Sequence, residues 1–142
     1  MDIISLHEEL SKIKKQGINN VILEASSHGL LQGRIKGIDF KTAIFTNLSQ
    51  DHLDYHKSMK KYLEAKLILF SKLLKEKRNI VTDNQIKEFP KLKLIAKKRK
   101  LNLLTIGKEN STIKIKSLIK ENNFKKLFFK YNKKKFIMKV PL

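Results

Sequence analysis

Four short apolar runs punctuate the first three quarters of the chain: Val-Ile-Leu at 21–23, Ala-Ile-Phe-Thr at 43–46, Asn-Ile-Val-Thr at 79–82 and Leu-Leu-Thr-Ile at 103–106. Each is too short for a helix and rich in β-branched or large apolar residues, as buried strands are. Between them lie stretches with helical spacing. A serine at 5 with an acid at Glu8 reads as a capping box, followed by Leu6, Leu10 and Ile13 on one face and a stop at Gly17. Ser58 can cap a second helix whose apolar positions are Met59, Tyr62, Leu63, Phe70, Leu73 and Leu74. A third is predicted over 85–100, with Pro90 kinking it or opening its main part. Strands alternating with helices predict a parallel sheet, because each crossover needs a helix-sized connection. After Gly107 the pattern changes. Ile113, Ile115 and Ser117 alternate with lysines, and residues 127–131 and 136–140 flank an Asn-Lys-Lys turn, which predicts a hairpin. The expected fold is α/β: a mainly parallel sheet flanked by helices over 1–107, with a small antiparallel β appendage over 108–142.

The chain has 142 residues, enough for one domain with a real core. No apolar run is long enough to span a bilayer, and there is no cysteine for a disulfide or thiolate site, which suits a cytoplasmic setting. The formal charge is +19, from 32 Lys and Arg against 13 Asp and Glu. It is uneven: ten against eight up to Lys66, and 22 against five beyond it. A basic stripe can bind nucleic acid by counterion release. Here the lysines are scattered and arginine, which does most specific phosphate and base recognition, is scarce. The excess reads rather as a solvated lysine-rich surface.

The chemically informative residues crowd into 24–66. Two polar clusters follow the first two apolar runs: Glu-Ala-Ser-Ser-His-Gly-Leu-Leu-Gln-Gly-Arg at 24–34, and Thr-Asn-Leu-Ser-Gln-Asp-His-Leu-Asp-Tyr-His at 46–56. In open α/β sheets ligands bind at the carboxyl ends of strands, so Glu24 and His52 are expected on one rim. Glu24 either holds magnesium through a phosphate-bearing ligand or pairs with Arg34. Arg34 either clamps a carboxylate or phosphate bidentately or sits on the surface. Ser26 and Ser27 contact a ligand or cap the local backbone. His52 can bind a metal, act as a base or make loop hydrogen bonds; paired with His56 it suggests zinc only if the segment is helical, and here the segment reads as loop. Lys66 stands on the apolar stripe of its helix, four residues from Tyr62 and Phe70 and three from Leu63. Desolvation favours a neutral amine, a nucleophile able to take up carbon dioxide as an anionic carbamate. The other reading is a lysine that snorkels past Tyr62 to water.

The motif at 24–34, Phe-Thr-Asn-Leu-Ser-Gln-Asp-His-Leu-Asp-Tyr-His at 45–56 and Tyr-Leu-Glu-Ala-Lys at 62–66 closely resemble the central, P-loop-type domain of the Mur ligases. Within that family they are most similar to the tripeptide-synthetase branch. Three separated motifs agree in order and spacing, so the resemblance is specific from Ser5 to about Lys66. Beyond, only the strand, Asp-Asn turn and helix are compatible. The resemblance implies an ATP-dependent ligase of peptidoglycan precursor synthesis. ATP would phosphorylate the terminal carboxylate of UDP-MurNAc-L-Ala-D-Glu, and the amine of a diamino acid would attack the acyl phosphate. By position, Glu24 and His52 would be magnesium ligands, although imidazole is an unusual partner for so hard an ion. Ser26, Gln32 and Arg34 would contact the UDP-sugar dipeptide, and Lys66 would be a carbamylated lysine.

The chain departs from the family pattern in places. Gln50 stands where Arg or Pro is common, and Lys57 where Gly is common. The family's Gly-Thr-x-Gly-Lys-Thr phosphate loop is missing. So are the N-terminal UDP-binding domain and the C-terminal domain that completes the ATP site. The expectation is an interior piece of a longer or split ligase, inactive without its remaining parts. Its parallel sheet is expected to expose an unpaired edge.

Overall fold

A computed structural model of the chain describes residues 2–49 and 53–142. The chain packs as two compact units, one built from residues up to Phe40 with 48–75, the other from 41–47 with 76–142.

The second unit is organised around a sheet. Its strands are β1 (Thr42–Phe45), β2 (Asn79–Asp83), β3 (Asn102–Gly107), β4 (Ile113–Glu121), β5 (Phe124–Tyr131) and β6 (Lys134–Pro141), and they lie side by side in chain order. β1, β2 and β3 are parallel, with Ala43 beside Ile80 and Ile80 beside Leu103. β3 and β4 share only two parallel rungs. Side chains extend that junction: the Thr105 N–H donates to Thr112 Oγ1, and the Thr112 N–H to Thr105 Oγ1. β4, β5 and β6 form an antiparallel meander. The expected parallel sheet with an antiparallel appendage is therefore present. The β4–β5 turn went unforeseen, because Asn122 and Asn123 lie within a run of similar polar residues.

Helix α5 (Phe89–Lys98) follows β2 and packs on β2 and β3, burying Leu92 and Ala96. Pro90 opens this helix instead of kinking it, since a first-turn residue has no intrahelical acceptor for its missing N–H. Among the described residues β1 pairs on one side only, and Ile44 is 59% exposed.

The first unit is helical. α1 (Ile3–Lys15) starts earlier than the capping box predicts. Asp2 is its N-cap, accepting from the Ile4 and Ser5 N–H groups at 2.9 and 3.0 Å, and the Ser5 hydroxyl also donates to Asp2. An ionised acid outcompetes a serine for those amides. Gly17, at φ +79°, ends the helix as expected.

Residues 21–23 do not form the predicted strand. They make no ladder, and Ile22 is 98% exposed. Their apolar composition suits a buried strand, but a strand needs a neighbour for its amides and carbonyls, and no described element supplies one. Glu24 therefore follows irregular chain, not a strand tip.

α2 (Ser27–Leu31) lies in the first polar cluster. α3 (Leu53–His56) makes the end of the second cluster helical where a loop was expected. α4 (Met59–Ile68) begins at Ser58, whose Oγ accepts from the Lys61 N–H at 3.2 Å. It then widens into a π-helical turn over Leu69–Leu73, closed by Leu74 N–H to Leu69 C=O. There the Ser71 hydroxyl donates to the Leu67 carbonyl at 2.8 Å, a local bond that competes with the regular ladder.

Candidate active site

All described residues singled out for chemistry lie in the helical unit. Ser26 caps α2: its Oγ accepts from the Gly29 N–H at 3.1 Å. Gln32 is the C-cap, its N–H bonded to the His28 carbonyl at 2.9 Å. The Arg34 N–H then folds back to the Gly29 carbonyl at 2.9 Å. Gly29 thereby lies between two candidate side chains. A Cβ there would meet Ser26 Oγ at 3.1 Å and Arg34 Cβ and Cδ at 3.9 Å. The fold brings Ser26 and Arg34 to one spot, and both are exposed, as is Gln32. Ser27 differs: it is buried and bonded inward, so Ser26 and Ser27 have separate surroundings despite being neighbours.

Helix α2 packs on α4. Lys66 is half-buried on α4, and its Nζ lies 5.1 Å from the centre of the buried Tyr62 ring. The helical count placed Lys66 beside Tyr62, Leu63 and Phe70. Those three side chains are buried, so the lysine does lie on the packed stripe. Its position over Tyr62 is compatible with both a desolvated amine and a snorkelling one.

Glu24 is exposed in the irregular segment before α2. His52 lies outside the described residues. Among those described, no three His, Cys, Asp or Glu residues converge as a metal cage. Magnesium needs no cage: it commonly takes one or two carboxylates and fills its shell with water and substrate phosphate. An exposed carboxylate at Glu24 fits that habit as one ligand.

Local capping was one of the two readings for Ser26, and its side chain does cap α2. One feature was missed. The burial of His56 was not legible, since nothing in Asp-Tyr-His distinguishes an inward from an outward ring. Its Nε2 lies 2.8 Å from Ser27 Oγ, and its ring stacks on Tyr62.

The whole chain, residues 1–142, matches the model of the Mur ligase middle domain, and the protein belongs to that family. The UDP-N-acetylmuramoyl-L-alanyl-D-glutamate–2,6-diaminopimelate ligase of Wigglesworthia glossinidia brevipalpis is 39% identical over 133 residues, covering 90% of this chain and 24% of that protein. UDP-N-acetylmuramyl-tripeptide synthetase 2 of Oceanobacillus iheyensis is 53% identical over 72 residues, covering 51% of this chain and 15% of that one. A solved structure of a UDP-N-acetylmuramoyl-L-alanyl-D-glutamate–2,6-diaminopimelate ligase superposes with a TM-score of 0.87 at 31% identity, over 100% of this chain and 29% of that one. The chain thus spans about a quarter of the length of the Wigglesworthia ligase and of the solved ligase.

Proposed function

We propose that this chain supplies the metal- and substrate-binding part of an ATP-dependent amide-bond-forming ligase of peptidoglycan precursor synthesis. That ligase would add a diamino acid to UDP-MurNAc-L-Ala-D-Glu in the cytoplasm. What supports the reading is a juxtaposition within one compact unit of a Mur ligase middle domain: α2, capped by Ser26 and Gln32 and with Arg34 folded back beside Ser26 at Gly29, packs on the helix that carries half-buried Lys66. Among the described residues no helix is long and apolar enough to cross a membrane.

In the reaction ATP phosphorylates the terminal carboxylate of the UDP-sugar dipeptide. The amine of the diamino acid attacks the acyl carbon, the amide forms and phosphate leaves. Arg34 would hold the substrate through a carboxylate or phosphate, and a guanidinium can do so with two parallel bonds. Ser26 and Gln32, at the two caps of α2, would fix the sugar-peptide beside it. Lys66, as its carbamate, would place an anion on the inner stripe of α4. Glu24 and His52 would hold magnesium, which when bound offsets phosphate charge. The remaining parts of such a ligase are the partners this requires.

The test is an exchange. The matching 133 residues of the Wigglesworthia ligase are replaced by those of this chain, and phosphate release is measured with UDP-MurNAc-L-Ala-D-Glu, diaminopimelate, ATP and magnesium. The chimaera is expected to turn over, the isolated chain to release no phosphate, and Lys66→Arg to slow the chimaera by about a hundredfold, as loss of a key electrostatic group does. Unchanged turnover in Lys66→Arg overturns the assignment.

A further inference from the structure

His56 has no role in the mechanism above, yet it touches three elements. It ends α3. Its Nε2 lies 2.8 Å from Ser27 Oγ at the start of α2, and both residues are only 3% exposed. Its ring stacks on Tyr62 of α4 with centroids 5.0 Å apart and planes at 24°. Tyr62 in turn lies under Lys66 Nζ. From α2, the His28 ring approaches those of Tyr55 and His56 at 3.9 and 5.3 Å.

A five-residue helix cannot hold itself together in water, because nucleation costs more than so few hydrogen bonds return. The place of α2 is therefore set by what it touches. A buried hydroxyl paired with a buried imidazole is a directional contact, and loss of either member leaves the other short of that partner. The same pair could suggest a serine nucleophile with a histidine base. Burial argues against it, since a hydroxyl that is 3% exposed offers no approach to an acyl carbon.

We infer that His56 is a positioning residue: through Ser27 it fixes α2 on α4, and so sets the spacing between Ser26, Gln32 and Arg34 on one side and Lys66 on the other. The link to Lys66 chemistry rests on the proposed function; the link between the helices does not.

The test uses the full chain with two NMR readouts. One is amide exchange at Leu30 and Gln32, whose N–H groups bond the Ser26 and His28 carbonyls. The other is a carbamate carbon signal at Lys66 in 13C-bicarbonate buffer, identified by its absence in Lys66→Arg. His56→Phe keeps a ring on Tyr62 and loses the hydrogen bond; Ser27→Ala loses it from the other side. Both are expected to speed α2 exchange about tenfold while Ala96 of α5 stays protected, which reports that the variants fold. The double variant should be no faster than either single one, since they break the same contact. His56→Gln, whose amide can reach Ser27, should restore most of the protection. The carbamate signal should fall at least about twofold in the first two variants and return in His56→Gln. Unchanged α2 exchange, or effects that multiply in the double variant, overturns the inference. So does a carbamate signal that forms in the unaltered chain and ignores both substitutions. Absence of any signal in the unaltered chain, with the exchange coupling intact, overturns the Lys66 assignment and leaves the positioning role standing.

Discussion

Lys57 adopts φ +59°, the left-handed region, in the turn between buried His56 and the α4 cap at Ser58. A side chain there crowds the following carbonyl and costs about 1–2 kcal/mol, whereas glycine adopts it freely. Lys57 is one of the positions where the chain departs from the family pattern that it resembles, and the departure runs against this backbone geometry. Lys57→Gly removes the strain but adds about 0.5–1 kcal/mol of unfolded-state entropy for folding to overcome. The net expectation is stabilisation by about 0.5–1 kcal/mol, or about 2–4 °C in Tm for a chain of this size. Urea and thermal melts measure it, and the slope of the urea transition should not change, because the buried surface is the same. Lys57→Ala is the decisive control. It removes the same charge and the same exposed side chain but keeps the Cβ, so it should gain nothing. If alanine stabilises as much as glycine, relief of the +19 charge is the cause and the backbone argument is wrong. If glycine destabilises, the lysine side chain contributes more than its strain costs, and the reasoning fails outright.

The same logic applies at the β5–β6 turn, where Asn132 and Lys133 have φ of +47° and +64° between the paired residues Tyr131 and Lys134. Two left-handed residues are the signature of a type I′ hairpin turn, for which Asn-Gly is the preferred pair; Lys133→Gly should raise the unfolding free energy by about 0.5–1 kcal/mol, read as a higher urea midpoint. Gly107→Ala should act in the opposite sense. Its Cβ would overlap Asn84 Oδ1, and moving that amide breaks the 2.9 Å bond from Asn84 Nδ2 to the Glu109 carbonyl. The expected loss is about 1–3 kcal/mol in a urea melt, and Asn84→Ala in the same chain should return part of it. The Asp2 carboxyl, held by the Ser5 N–H and hydroxyl, is lowered from 3.8 to about 2. A depressed folded value means that its cap contributes fully above 3.8 and is lost as pH falls through about 2. An NMR titration of the Asp2 carboxyl carbon should follow that window, and Asp2→Asn should remove this acid response from the start of α1.

The strands that pair in ladders were legible because they combine apolar composition with turn signals on both sides. Thr42–Phe45 is the predicted 43–46 shifted by one residue, and Asn79–Asp83 extends the predicted 79–82 by one. The one failure, at 21–23, had the composition without a partner, and composition cannot report a partner. The helix of Lys66 was legible because its apolar positions recur at helical spacing, and that count placed the lysine on the packed side. The π-helical turn beyond it was not, since Leu-Phe-Ser-Lys-Leu would extend an α-helix equally well. Ser26, Gln32 and Arg34 were legible as a motif, but the meeting of Ser26 and Arg34 at Gly29 depends on a five-residue helix whose start, Ser27, has no strong helix propensity.

That last point bears on how such a site is built. α2 has five residues and α3 four, so neither is stable by itself. Their order must come from side chains that reach other elements, and buried polar pairs do this with more directional precision than apolar contacts. The helical unit accordingly buries Ser27 and His56 as it does the apolar Leu30, Tyr62 and Ala65, and the His56 ring stacks on Tyr62. An all-apolar packing of the same volume would hold the two short helices together, but it would let them slide. Candidate ligand contacts separated by such helices require a fixed spacing, and a 2.8 Å hydrogen bond between helix ends supplies it where hydrophobic burial alone does not.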